Sequence, residues 1–314
     1  MSKWEEVGFF ALIFAGIFLF WVLTGGPERA TSSEGMFLKA PVEAGGTGQV
    51  YGGTAFQNGL NIGGTSTTIV LPNTGINFGT GKKATIPNNV PHSNFWDELS
   101  FDGVSGAKNA STSTEYLRLI AGNNIASPLT ITGFVVGSFA SGNLATITTA
   151  ALLPILGSPY SESSIYVSPG DVILLSTEIS PIKTSFRVNK CSGFLNQLYS
   201  FTPAILKLCP TASALLTKFG PANDTSCIAY AKTVPQCTAV ASSAVPINLS
   251  SACKTFVEQT LTYNGCVEST QNDSDFYENE YRVFLGSQNE LWGNSTDAIG
   301  LFDTKGGLVG GLTY

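Results

Sequence analysis

The chain has 314 residues, of which only 12% are charged, about half the share of an average soluble domain. Its net charge is −6 and its pI about 4.9, and Lys82-Lys83 is the sole basic pair of note. Nucleic-acid binding is therefore not expected, because displacing counterions from a phosphate backbone needs concentrated positive charge. The length leaves room for one large or two modest domains.

From the start, residues 1–6 read as a short cytoplasmic N-terminus and residues 7–24 (VGFFALIFAGIFLFWVLT) as an uncharged apolar run. At about 1.5 Å per residue, such a run comes close to crossing a hydrocarbon core of roughly 30 Å. A retained transmembrane helix is preferred to a cleaved signal, since the run exceeds a usual signal core. No small-x-small site follows cleanly in Gly25-Gly26-Pro27-Glu28-Arg29. Flanking charge orients it poorly, because Lys3 is opposed by Glu5 and Glu6.

Residues 25–113 are dominated by Gly, Thr, Asn and Ser and read as a spacer, with too little apolar surface to fold independently. Thr68–Pro72 and Phe95-Trp96 are its only candidates for an edge strand or local packing. Gly75 to Lys83 mimics a phosphate-binding loop, but the glycine spacing is too long and Lys83 stands where a magnesium-binding hydroxyl belongs. Gly46-Thr47-Gly48 lacks the third glycine of a dinucleotide fingerprint.

The folded part is expected from Thr114. In Glu115–Ile120, alternation puts Leu117 and Leu119 on one face and Tyr116 and Arg118 on the other. Leu129–Val136 reads as one further strand. Ile165–Val167 and Val172–Leu175 follow, joined by the turn Ser168-Pro169-Gly170-Asp171, and then Thr184–Val188. Short strands without intervening helical pattern predict a mainly β, two-sheet sandwich over residues 114–190 and 276–314. Its closing block runs from Tyr281–Gly286, through Glu290-Leu291-Trp292, to a hairpin at Asp303-Thr304-Lys305-Gly306, where Gly306 and Gly307 supply positive φ.

Residues 191–275 change period. Six cysteines, Cys191, Cys209, Cys227, Cys237, Cys253 and Cys266, fall within this stretch, and the one histidine, His92, lies far upstream. No Cys-x2-Cys pair occurs, so disulfides in an oxidising compartment are the reading rather than zinc, with no metal or cofactor implied. Cys191, Phe194, Leu195 and Leu198 share a helical face, as do Cys227, Tyr230, Ala231 and Val234, and Cys253, Phe256, Val257 and Leu261. Caps are expected at Asn223–Thr225 and at Ser250 or Ser251, with Pro235 ending the second helix. Helices this short need bridges to hold them, each contributing about 2–4 kcal/mol. Spacing alone does not choose the pairing.

Glu115-Tyr116-Leu117-Arg118-Leu119, Leu129–Gly133, Pro169-Gly170-Asp171 and the Arg282–Val309 block together resemble a lamin tail domain, most closely its exported bacterial form. The match is a Tyr-Arg-Val-Phe-Leu-Gly strand, with Phe284 for the usual Tyr, then Glu-Leu-Trp, then Leu-x-Asp-x-x-Gly-x-Leu-Val. Ser185–Cys191 through Leu261–Cys266 is similar to a cysteine-containing insertion in membrane-anchored members. The resemblance implies an immunoglobulin-like β-sandwich with an adhesive or scaffolding role and carries over no catalytic residue.

Other chemistry finds little footing. His92 has no neighbouring carboxylate in sequence to orient it as a base. The carboxylates Asp97, Glu98 and Asp102, or Asp273, Asp275, Glu278 and Glu280, lack a clear apolar pocket to split their pKa values. The second group reads as a polar exit from the insertion, without the spacing of a calcium loop. Sequons occur at Asn109, Asn223, Asn248, Asn272 and Asn294.

The reading is a non-enzymatic, single-pass surface protein, its N-terminus cytoplasmic and the rest extracytoplasmic. It would bind or scaffold a protein or cell-wall glycan, with self-association a further option. The alternatives are a subunit of a surface filament or layer, assembled by strand addition, and then an exported hydrolase.

Overall fold

The structure is a computed structural model that describes residues 85–314 and, within the apolar N-terminal run, Phe14, Ala15, Phe18 and Leu19, which are helical. Among the described residues no helix is long and apolar enough to cross a membrane. The remainder of the 7–24 segment lies outside the described residues, as do the phosphate-loop mimic at 75–83 and the Thr68–Pro72 stretch.

Among the described residues thirteen strands make three sheets. In chain order they are β1 (Leu99–Phe101), β2 (Tyr116–Ala121), β3 (Leu129–Thr130), β4 (Val135–Ser138), β5 (Leu144–Thr146), β6 (Ala150–Ala151) and β7 (Glu162–Ser163). Then come β8 (Tyr166–Val167), β9 (Val172–Ser176), β10 (Ser185–Asn189), β11 (Tyr277–Phe284), β12 (Ala298–Phe302) and β13 (Leu308–Thr313). The large sheet runs β1-β2-β9-β11-β10-β6-β7, a smaller one runs β13-β12-β4-β5, and β3 pairs with β8.

The two larger sheets enclose one apolar core. Leu117, Leu119, Ile173, Leu175, Tyr281 and Val283 enter it from the large sheet; Val136, Ala145, Ile299, Leu301 and Val309 enter from the small one. The expected alternation of β2 is observed: Leu117, Leu119 and Ala121 are buried, and their neighbours half-buried. β11 lies parallel to β9, with Tyr281 opposite Ile173, and antiparallel to β10, with Arg282 opposite Phe186. The segment after the insertion thus sits in the middle of the sheet built by the segment before it.

The fold begins earlier than Thr114. Leu99–Phe101 pairs with Ala121–Leu119, His92 bridges Leu308, and Val90 is buried against Phe139, Phe302 and Leu308. Residues 85–113 therefore form an edge of the domain rather than the end of a spacer. Their apolar residues are too widely spaced to show a period and pack on different partners: Val90 on Phe302 and Leu308, Phe95 on Phe134, and Leu99 in the two-sheet core beside β2.

Leu129–Val136 is likewise not one strand. Gly133, at φ +90°, turns the chain out of β3 and into β4. A residue with a Cβ would be strained there, so this glycine hands the chain from the small β3–β8 pair to the four-stranded sheet.

The turn Ser168-Pro169-Gly170-Asp171 forms as expected: Gly170 has φ +83°, and Asp171 accepts the Ser168 N–H at 2.8 Å. It joins two strands that pair with different partners, β8 with β3 and β9 with β2 and β11.

Buried carboxylates fasten the closing block. Glu115 accepts the Leu291 and Trp292 N–H groups at 3.0 and 3.1 Å, which seats the Trp292 plug in the core. Burial pushes the Glu115 pKa upward against the lowering effect of these bonds. Asp297 accepts the Ser138 hydroxyl at 2.7 Å and the Gly293 N–H at 2.8 Å. Asp303 takes the Lys305 and Gly307 N–H groups at 2.8 and 2.9 Å, forming the hairpin turn, and accepts the Ser93 hydroxyl. Only Gly306 of that turn has positive φ, +83°. Gly307 serves a different need: a Cβ there would lie 2.8 Å from the Ser93 Cα.

Candidate functional site

Between the paired strands β10 and β11 the chain leaves the sheet for residues 190–276 and builds a layer of short helices. A 3-10 helix spans Ser192–Gln197, α-helices span Ala212–Phe219, Thr225–Ala231 and Ser251–Thr255, a π turn spans Phe256–Thr260, and an α-helix spans Tyr263–Thr270. Each α-helix starts on a side chain that accepts the N–H three residues on: Thr211, Asp224, Ser250 and Thr262. Two caps are also joined, because the Ser250 hydroxyl donates to Asp224 at 2.6 Å. That bond and the Cys227 N–H hold the Asp224 carboxyl below its ordinary range.

All six expected cysteines are buried and bridged: Cys191–Cys266, Cys209–Cys237 and Cys227–Cys253. Cys191–Cys266 closes the neck, since Cys191 follows β10 by two residues and Cys266 lies in the helix leading back to β11. Cys209–Cys237 ties the long loop to the neck region, and its half-cystines lie in the same apolar cluster as Phe186 and Phe194. Cys227–Cys253 lies in the outer cluster with Leu216, Leu249 and Phe256.

The insertion is packed, not merely looped out. Alternate residues of β10 and β11 turn away from the two-sheet core and meet it: Phe186, Val188 and Phe284 join Phe194, Leu195, Phe201, Tyr263 and Phe276. Phe186 meets the Phe201 ring edge-on at 5.9 Å and stacks with Phe284 at 6.3 Å. The buried Arg282 guanidinium donates to the Pro203 and Ala204 carbonyls. The molecule is thus sheet-rich with a third, disulfide-bridged helical layer on the outer face of the large sheet.

Two of the expected faces hold. Cys227 with Ala231, and Cys253 with Phe256, Val257 and Leu261, are buried on one side. The first face fails at Leu198, which is 62% exposed, because a 3-10 helix forms there and places side chains on a tighter period. The second helix stops at Ala231, before Pro235.

The helices Ala212–Phe219 and Tyr263–Thr270 were not anticipated. The first carried a readable signal: Thr211 as cap after Pro210, and Gly220-Pro221 as stop.

The acidic exit is clamped by cations. Lys190 reaches Asp273 at 3.3 Å and Asp275 at 2.5 Å, and Lys218 reaches Asp273 at 2.9 Å. Burial alone would lower the Lys190 pKa, but the two carboxylates outweigh it and raise it. Both aspartates are held below the usual carboxylate range, chiefly by the lysine hydrogen bonds. His92 stacks on Trp96 at 3.7 Å on the exposed N-terminal edge. Among the described residues no group of three His, Cys, Asp or Glu side chains could hold a metal ion.

A cleft of about 510 Å³ opens in the outer part of this layer, between the end of the Ala212–Phe219 helix and the Ser251–Thr260 stretch. Comparison with protein-family models, curated proteins and solved structures finds no match. The chain's own geometry carries the functional reading.

Of the sequon asparagines, Asn223, Asn248 and Asn272 are exposed on the insertion. The Asn109 amide donates to the Thr114 carbonyl and the Asn294 amide to Glu290.

Proposed function

We propose that the chain is an exported, non-enzymatic surface protein. Residues 7–24 would anchor it in the membrane, and a Gly/Thr-rich stretch would raise a lamin-tail-like, immunoglobulin-type β-sandwich that displays the disulfide-bridged layer to a partner. The observation that carries this reading is the set of three buried disulfides. Buried bridges form and persist in an oxidising compartment, and an uncharged N-terminal run supplies the route there. The two sheets around one core, with the Asp303 hairpin and the Trp292 plug at the close, fit the lamin-tail resemblance. Binding belongs on the displayed layer, since the sheets beneath give it a rigid base. A tether also concentrates such a head near the membrane, which favours weak partners.

Assembly by strand addition is less well supported. Three of the four edge strands of the two larger sheets, β1, β5 and β7, are two or three residues long. The fourth, β13, is approached by the Leu99 carbonyl at Gly310. Edges this short or this crowded offer little template for another chain.

The test is fractionation of cells that make the protein naturally. We expect the chain to sediment with membranes, to resist carbonate extraction and to be cut by protease added to intact cells. A soluble, protease-shielded chain whose cysteines alkylate without reductant would contradict the proposal.

A further inference from the structure

From the lining of the outer cleft we infer that the cleft binds a neutral glycan. The inference rests on the surface-display reading above and names the ligand class for its displayed layer.

The cleft is a shallow, open groove of about 510 Å³, in which a ligand would lie along the surface rather than be enclosed. At its mouth stands the Phe219 ring, 44% exposed although it closes an otherwise amphipathic helix. Opposite lie Ser251, Thr255, Gln259 and Thr260. Among the described residues these four side chains make no hydrogen bond within the protein, and none carries a charge. The floor is Phe256, which is buried.

The wall is fixed. Gln259 and Thr260 sit on the π turn, a rare backbone form that re-aims side chains and is frequent at functional sites. Gly265 packs so tightly against the Gln259 carbonyl that no Cβ fits there. Cys227–Cys253 holds the start of the same stretch to the neighbouring helix.

This chemistry selects its ligand. A sugar ring has an apolar C–H face and a rim of uncharged hydroxyls. An exposed aromatic ring meets the first, and hydroxyl and amide side chains, which both donate and accept, meet the second. Phosphates and acidic saccharides need free cations, and the two lysines adjoining lining residues in the chain are engaged: Lys218 reaches Asp273 at 2.9 Å, and Lys254 donates to the Ile247 carbonyl at 2.8 Å. A peptide added as a β-strand would need a free sheet edge, and an acidic or phosphorylated one a basic cluster; the lining supplies neither.

The experiment is calorimetric titration of the full chain in detergent micelles. The probes are cellotetraose, maltotetraose and tetra-N-acetylchitotetraose, with tetragalacturonate and tetra-alanine as acidic and peptide comparators. We expect at least one neutral tetrasaccharide to bind, Phe219→Ala to weaken it about tenfold or more, and Gln259→Ala to weaken it severalfold. Both positions are exposed, so both variants should keep the wild-type Tm and all three bridges. No heat with any neutral probe would overturn the inference. So would binding that both variants retain in full, or preference for tetragalacturonate or tetra-alanine. A surface-exposed chain that binds no glycan refutes the ligand and leaves the display reading intact. A chain confined to the soluble fraction refutes that reading whatever the cleft binds.

Discussion

Phe186→Ala is expected to destabilise the protein by about 3–5 kcal/mol, the usual cost of emptying a fully buried aromatic site. Phe186 is 0% exposed and lies on the face of β10 turned away from the two-sheet core. Its partners are Phe201 from the insertion and Phe284 from β11, so the loss would fall on the contact between sheet and helical layer. Urea unfolding under non-reducing conditions measures it. Leu198→Ala, at a solvent-facing site of the same insertion, should change stability by less than about 0.5 kcal/mol. A cost below about 1 kcal/mol for Phe186→Ala would mean that the insertion hangs free of the sheet rather than packing on it.

Glu115→Ala is expected to cost roughly 2–5 kcal/mol, because it leaves the buried N–H groups of Leu291 and Trp292 without an acceptor. This carboxyl, one residue before β2, joins that strand to the closing block, so its loss should also free the Trp292 plug. Glu115→Gln separates hydrogen bonding from charge. Burial raises the folded-state pKa above the ordinary 4.5, so the folded state holds the proton more tightly than the unfolded chain does. The stability this group contributes is therefore full below pH 4.5 and declines as pH rises through the raised value. The glutamine variant lacks that slope, and the stability of wild type minus variant should fall with rising pH. A difference that rises instead would show that the two N–H bonds outweigh burial and hold the carboxyl low.

What could be read from the sequence follows from which forces are local. The alternation of Leu117 and Leu119, the Ser168–Asp171 turn and the Asp224 and Ser250 caps depend on residues near in the chain, and each appears where its pattern placed it. The meeting of β11 with β9 and β10 was legible because both segments are too apolar to stand alone. Residues 85–113 read as spacer because Val90, Phe95 and Leu99 are dispersed among polar residues, and the surfaces they cover come from distant segments: the terminal hairpin, Phe134 and β2. The second buried face of β10 was hidden by its own sequence: Phe186 and Val188 alternate with Ser185 and Arg187, as a one-sided strand would. Only the insertion reveals that the apolar side faces helices. The cleft had no signature at all, because Phe219 lies 40 residues from Gln259 in the chain and a π turn leaves no period to recognise.

The account turns on one arrangement: a helical layer closed at its neck by Cys191–Cys266, with Cys209–Cys237 deeper in and Cys227–Cys253 bracing the outer cleft. Non-reducing peptide mapping of protein isolated from its native membrane tests it most directly. The account predicts those three pairs and no free thiol. A peptide joining Cys191 to Cys209, any other crossed pair, or sulfurs that alkylate without reductant would contradict it.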